Sequence, residues 1–190
     1  MGAGISEITI IGGGVVGLSV ALGLVRAGHR VTVLDGSDSD LRASQGNFGL
    51  VWLQGKGADF APYCELTRKA VAAWPGFARD LADLAGIDLA LDQSGGFEFF
   101  TDPAELANFA AALDRQQAHL GNRFSHEVIG GDDLRRSYPM IGPDVVGATF
   151  CALDGHVNPL RLLRALRCAV VALRSEERRV GKECRCRLSP

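Results

Sequence analysis

Short apolar runs alternate with glycine-rich and polar stretches along this chain, and their periods predict its elements. Glu7 to Ile11 (EITII) is a β-branched apolar run and reads as a buried parallel strand. Val15 to Ala27 is apolar nearly all round and reads as a helix, closed by Gly28. Arg30 to Leu34 (RVTVL) predicts a second strand, ending at Asp35. Together they make a strand–helix–strand unit of about thirty residues, the size a parallel crossover needs. The stretch from Gly36 to Gly57, rich in Gly, Ser, Asp and Asn, reads as a long loop of the functional kind.

The helical pattern from Asp59 to Ala85 is divided by Pro62 and Pro75, which predicts two helices meeting near Trp74. Gly95 to Phe100 (GGFEFF) predicts a strand. Asp102-Pro103-Ala104-Glu105 then opens a helix to about Leu120, with a capping Asp, Pro in the first turn and Glu three after the cap. Asp132 to Ser137 predicts a short helix and Val145 to Ala152 a strand. Asn158-Pro159 starts a helix towards Leu173, with Leu160, Leu163, Leu166 and Val170 on one face, as in a crossover helix. Such a helix must return the chain to a sheet, yet no apolar strand follows it.

Composition narrows the class. The chain has 190 residues, 47% apolar and 22% charged, which is a globular mix with mass enough for a core. A net charge of −2 leaves no basic footprint, so nucleic acid is excluded as a partner. The 18 uncharged residues from Ile8 to Val25 reach the length of a membrane span, but five are Gly and no basic residue precedes them. The expectation is therefore no transmembrane segment and no secretory signal. Five Cys without a CxxC pair indicate neither a zinc site nor a disulfide framework. A cytoplasmic location is expected, with a place peripheral to the inner membrane as its variant. Arg174 to Pro190 changes character, with six basic and three acidic residues and no periodicity. It resembles adapter-like tails that end unrelated chains, and is read as a non-native or disordered tail.

The candidate chemistry sits in the first crossover. Gly12-x-Gly14-x-x-Gly17 follows a predicted strand and opens a helix, the context a dinucleotide fingerprint requires. Gly12 allows the tight turn, Gly14 the approach of a pyrophosphate to the backbone, and Gly17 close helix–strand packing. Unpaired N–H groups at the helix start, those of Val15 and Val16 among them, bind the diphosphate. Asp35, with seventeen residues between it and Gly17, ends the second strand where a carboxylate accepts hydrogen bonds from an adenosine ribose. It also repels a 2′-phosphate, which disfavours NADP.

Ser44-x-x-Asn47-x-Gly49 and Asp154-Gly155-x-x-x-Pro159-x-x-Leu162 go further. With the fingerprint, in this order, they resemble the FAD-dependent amine and amino-acid oxidoreductases, the superfamily of D-amino-acid oxidase, glycine oxidase, sarcosine oxidase and D-amino-acid dehydrogenase. The resemblance runs from about residue 5 to 173 and is that of an N-terminal half only. It implies an α/β fold: a Rossmann-like FAD-binding domain with an inserted α+β substrate domain, C-terminally truncated. The implied parts are residues 1–90 of the FAD domain, 91–153 of the substrate domain, a return helix at 154–173, and the tail. It implies FAD as cofactor, with Ser44, Asn47 and Gly49 in the loop beside flavin and diphosphate. It implies oxidation of the C–N bond of an amino acid or secondary amine by hydride transfer, with O2 or a quinone-linked acceptor taking the electrons. The family more often has Glu where Asp35 stands, and its members are about twice as long. Catalytic residues are therefore assigned to no position here.

Two alternatives stand beside this reading. An NAD-dependent Rossmann dehydrogenase predicts a second strand–helix–strand repeat soon after Asp35. A fragment of a flavoprotein without catalysis is the other. Gly49 to Gly57 brushes against a phosphate-binding loop, but Gly57 stands where Ser or Thr would bind Mg²⁺. His156 reads as a turn histidine, His29, His119 and His126 have no ligand spacing, and Phe97, Phe99 and Phe100 alternate as core and surface of a strand.

Overall fold

The structure, a computed structural model, describes residues 4–36 and 43–173, and the backbone alone of 176–179. In chain order its first elements are β1 (Glu7–Ile11), α1 (Val15–Arg26), β2 (Arg30–Asp35), β3 (Leu50–Val51) and α2 (Ala61–Ala85). They are followed by β4 (Gly96–Phe100), α3 (Pro103–Leu120), β5 (Glu127–Gly130), α4 (Gly131–Ser137), β6 (Gly147–Cys151), β7 (Gly155–His156), α5 (Pro159–Ala172) and β8 (Glu176–Arg179). The chain divides into two compact units, the first made of Met1–Gly49, Gly76–Ala90 and Val157–Pro190, the second of Leu50–Pro75 and Leu91–His156.

The first unit is a Rossmann-like α/β layer. Its parallel sheet has the order β1-β2-β8, with Glu7 opposite Arg30 and Ile11 opposite Leu34. β-branched Val31 and Val33 turn one face of β2 into the core, where Leu18, Ala21 and Leu22 of α1 are also buried. α1 packs against α5, which buries Leu162, Leu163, Leu166, Ala169 and Val170. Asn158 caps α5, its Oδ1 accepting from the N–H groups of Leu160 (3.1 Å) and Arg161 (3.0 Å).

α5 does return the chain to the sheet, contrary to the sequence reading. Thr32 to Asp35 of β2 pair in parallel with Glu176 to Arg179 of β8. A ladder needs only backbone donors and acceptors, so a charged stretch carries no apolar pattern to announce it. The rest of the stretch read as a tail, 174–175 and 180–190, lies outside the described residues. Among the described residues no strand parallel to β2 intervenes between Asp35 and β8, the stretch in which an NAD dehydrogenase is expected to repeat its strand–helix–strand unit.

The second unit is α+β. β4, β6 and β5 form an antiparallel sheet in the order β4-β6-β5, and β3 pairs with β7. The two-residue period of β4 sends Phe100 to one face, against Phe109 of α3 at 5.4 Å between ring centroids. It sends Phe97 to the other face, against Phe99, Phe150 and Tyr138. That aromatic side borders a cavity of 420 Å³ together with Ile129, Leu134 and Glu127. Asp102 caps α3 as expected, accepting from Ala104 N–H at 2.6 Å.

α2 corrects a second expectation. It is one helix of 25 residues, with Pro75 inside it. Proline removes the donor to the carbonyl four residues back and crowds it. That carbonyl belongs to Val71, and Nε2 of Gln93 donates to it from outside the helix at 3.4 Å. Pro62 lies in the first turn, where its missing N–H costs nothing.

Candidate functional site

The site forms where β1 hands the chain to α1. Gly12 turns at φ +105°, a region that L side chains rarely adopt, and its N–H donates to Leu34 O at 2.8 Å. A Cβ on Gly17 would collide with the carbonyl oxygen of Gly12, so the helix approaches the turn only because Gly17 has none. Gly14 is the N-cap of α1, in extended conformation and without a side-chain cap. Its place is served from elsewhere: Ser44 Oγ accepts from Val15 N–H at 3.0 Å. A Cβ on Gly14 would stand 2.8 Å from that Oγ. Helix geometry leaves the N–H groups of Val16 and Gly17 without an intrahelical acceptor, at the positive end of the macrodipole. The Val16 side chain itself is exposed.

Asp35 closes the other side of the turn. A Cβ on Gly13 would stand 2.6 Å from Asp35 Oδ2. A side chain at the middle position of the fingerprint would thus displace the Asp35 carboxylate. Arg167 of α5 reaches the same oxygen, with Nη2 at 3.8 Å from Oδ2. Sequence reasoning singles out neither Gly13 nor Arg167. A variable motif position carries no signal, and Arg167 is one of several arginines on its helix.

The second and third motifs have largely architectural tasks. Asn47 Nδ2 donates to the carbonyls of Ala43 (3.2 Å) and Ser44 (3.0 Å), and Oδ1 accepts from Gly49 N–H at 2.8 Å. Asn47 therefore fixes its own loop, which carries Ser44. Gly49 has φ +68°, and its missing Cβ makes room for Val157 O and for Pro159 Cδ at 3.0 Å. Its carbonyl accepts from Val157 N–H at 2.8 Å. The Ser44–Gly49 loop and the start of α5 are thus joined backbone to backbone.

In the second unit, the buried carboxylate of Asp154 accepts from Leu53 N–H at 2.5 Å through Oδ1. Burial pushes this carboxyl above the usual range, opposed by hydrogen bonds from Leu53 and Gln54. Gly155 is required because a Cβ would collide with Asp92 O. The backbone of His156 pairs with Leu50 and Asp92, which makes it a strand residue of the β3–β7 ribbon and not the turn histidine expected. Buried Gln116 escapes sequence reasoning: it holds the turn after β3 through Leu53 O, Gly55 N–H and Lys56 O.

A cradle of absent Cβ atoms, a helix N-terminus and a carboxylate at the end of β2 fit the diphosphate and ribose of a dinucleotide. No group of metal-ligating side chains occurs among the described residues, and none of their helices is long and apolar enough to cross a membrane.

The fold is that of an α/β protein with a Rossmann-like sheet and an inserted α+β region. The chain belongs to the family described as FAD dependent oxidoreductase (DAO), which matches residues 7–177. It is 41% identical over 165 residues to an opine oxidase subunit from Rhizobium meliloti and 44% identical over 167 residues to its counterpart in Agrobacterium tumefaciens (strain Ach5). Each match covers 86% of this chain and 44% of the relative. The structure is similar to that of glycine oxidase from Bacillus cereus, with a TM-score of 0.77 and 26% identity, over 92% of this chain and 46% of that one. The chain thus spans less than half the length of these relatives.

One expectation is corrected by these matches. Read from the sequence, the resemblance is that of an N-terminal half only, ending at residue 173. The family match continues to residue 177, and the solved structures that the chain resembles cover between 90% and 98% of it. The likeness takes in nearly the whole of the sequence, and the family match runs into the start of β8.

Proposed function

We propose that this chain binds FAD and serves the oxidation of a C–N bond in an amino acid or secondary amine. The observation that carries the reading is the assembly at the N-terminus of α1, where Gly13, Gly14, Ser44 and Asp35 meet. Gly12, Gly14 and Gly17 shape the turn, and the N–H group of Val16 lies at the diphosphate end of α1, that of Val15 being taken by Ser44 and not unpaired as expected. Asp35 takes the ribose hydroxyls. Ser44, held by Asn47 and Gly49, borders the diphosphate. A flavin held there would supply two-electron oxidation of the C–N bond to an imine, which water hydrolyses, with O2 or a quinone-linked acceptor as the electron acceptor. The relatives' name adds a narrower candidate, an opine, which is itself a secondary amine.

The test is titration of the purified chain with FAD and with NAD, followed by flavin absorbance and fluorescence, then anaerobic addition of amino acids or opines. FAD binding that Gly17→Ala weakens at least tenfold, with bleaching of the flavin by one of these substrates, is the expected result. Binding of NAD in preference to FAD supports the dehydrogenase alternative and refutes the proposal. Binding of neither, or FAD binding without bleaching, supports a chain without catalysis of its own.

A further inference from the structure

We infer that Arg167 is a positioning residue of the dinucleotide site, acting on the ribose through Asp35; this rests on the flavin reading above. The Asp35 side chain is only 7% exposed and that of Arg167 only 16%. A carboxylate with so little water round it is costly unless a cation balances it. Arg167 provides that cation from α5, an element that reaches Asp35 only once the sheet has formed.

The geometry separates this pair from an ordinary salt bridge. At 3.8 Å the Nη2–Oδ2 contact is beyond hydrogen-bond length and acts as an ion pair that balances charge. Gly13 backs the same oxygen from the turn. Oδ2 is therefore bounded on two sides, which fixes the rotation of the carboxylate. A fixed carboxylate accepts from a diol in one orientation and loses no further freedom on binding. Arg167 also offsets the charge of Asp35 next to the place where a diphosphate must enter, where an unbalanced carboxylate would repel it.

A double-mutant cycle on the full chain tests this, with FAD and ADP as probes in titration calorimetry. Arg167→Met keeps an apolar stem and removes the charge, Arg167→Lys returns the charge, and Asp35→Asn removes its target. Arg167→Met should weaken both probes about tenfold, while Arg167→Lys stays within about threefold of the parent. With Asp35→Asn in place, the same Arg167→Met change should cost less than about twofold. A purely structural role predicts equal losses in both backgrounds, and that result overturns the inference. Unchanged binding in Arg167→Met while Asp35→Asn binds poorly also overturns it and leaves the ribose reading standing. Full affinity in Asp35→Asn overturns the ribose reading and this inference together, as does a parent chain that binds neither probe.

Discussion

Gln116 offers a quantitative test of how the second unit is held. It is fully buried on α3 and makes three hydrogen bonds to one turn. Nε2 donates to Leu53 O at 2.8 Å and to Lys56 O at 3.2 Å, and Oε1 accepts from Gly55 N–H at 2.9 Å. Leucine fills nearly the same space and removes all three. Leu53 is fully buried, but its carbonyl keeps the Lys56 N–H at 3.0 Å and loses one of two partners, at a cost of about 1 kcal/mol. Lys56 is exposed and Gly55 half-buried, so water recovers part of their loss, leaving about 0.5 kcal/mol each. The sum is about 2 kcal/mol. With a urea m-value of about 2 kcal/mol/M, the midpoint should fall by about 1 M at unchanged m. Trp52 and Trp74 report the transition by fluorescence. Gln116→Glu separates the bonds: ionised, it keeps an acceptor for Gly55 but turns a second oxygen towards two carbonyls. Protonation returns one donor, so its folded pKa must exceed the unfolded value of about 4.3. The folded state then binds more protons than the unfolded one, and stability falls as pH rises through that window. A loss below about 1 kcal/mol in Gln116→Leu, or a pH-independent Gln116→Glu, refutes the account.

Two carboxylates should leave opposite signatures in urea midpoints measured against pH. Burial raises the folded pKa of Asp154 above 3.8, so the folded state holds the proton longer and stability declines as pH rises from about 3.8 through the raised value. Asp154→Asn keeps an oxygen for Leu53 N–H and should erase that decline; an unchanged slope would assign it to another group. Glu65 is depressed to about 2, first by its hydrogen bonds to Arg68 and then by the charges of Arg123 and Arg68. Its contribution is present above 4.5 and lost as pH falls towards 2, so Glu65→Gln should flatten the acid limb in that window. An acid limb as steep as the parent's would show that the surface cluster is screened out.

Much of the first crossover is legible in the sequence because its signals are local. β1, α1 and β2 follow apolar runs, although Ile11 of β1 is exposed where a buried strand is expected, and Gly12 and Gly17 stand at backbone positions that demand glycine. The caps of α3 and α5 are legible for the same reason, since Asp102 and Asn158 act on their own helices. What escapes depends on distant partners. Pro75 signals a break, and only Gln93, brought in by the fold, satisfies the carbonyl that it orphans. β8 is charged, and β3 and β7 are two residues each, too short for any period. Arg167 differs from Arg161 and Arg164 only in where its helix face points once α5 is docked.

The glycines also bear on why this turn is more than tight packing. A glycine-rich turn in an ordinary α/β sheet needs Gly12 for its positive φ and Gly17 for close approach. Gly13 and Gly14 serve neither need. What a side chain there would displace is polar: the carboxylate of Asp35 at one position and the hydroxyl of Ser44 at the other. Capping gives a reason for one such group at a helix N-terminus, as Ser44 shows, and none for both together at the expense of two side chains. A ligand with a diol at one end and a diphosphate beside it gives that reason for both residues at once. Ser44 and Asp35 come from different segments, each held separately, the one by Asn47 and Gly49, the other by β2 and Arg167. Two independent supports converging on one helix mouth favour a ligand-binding turn over a merely tight one.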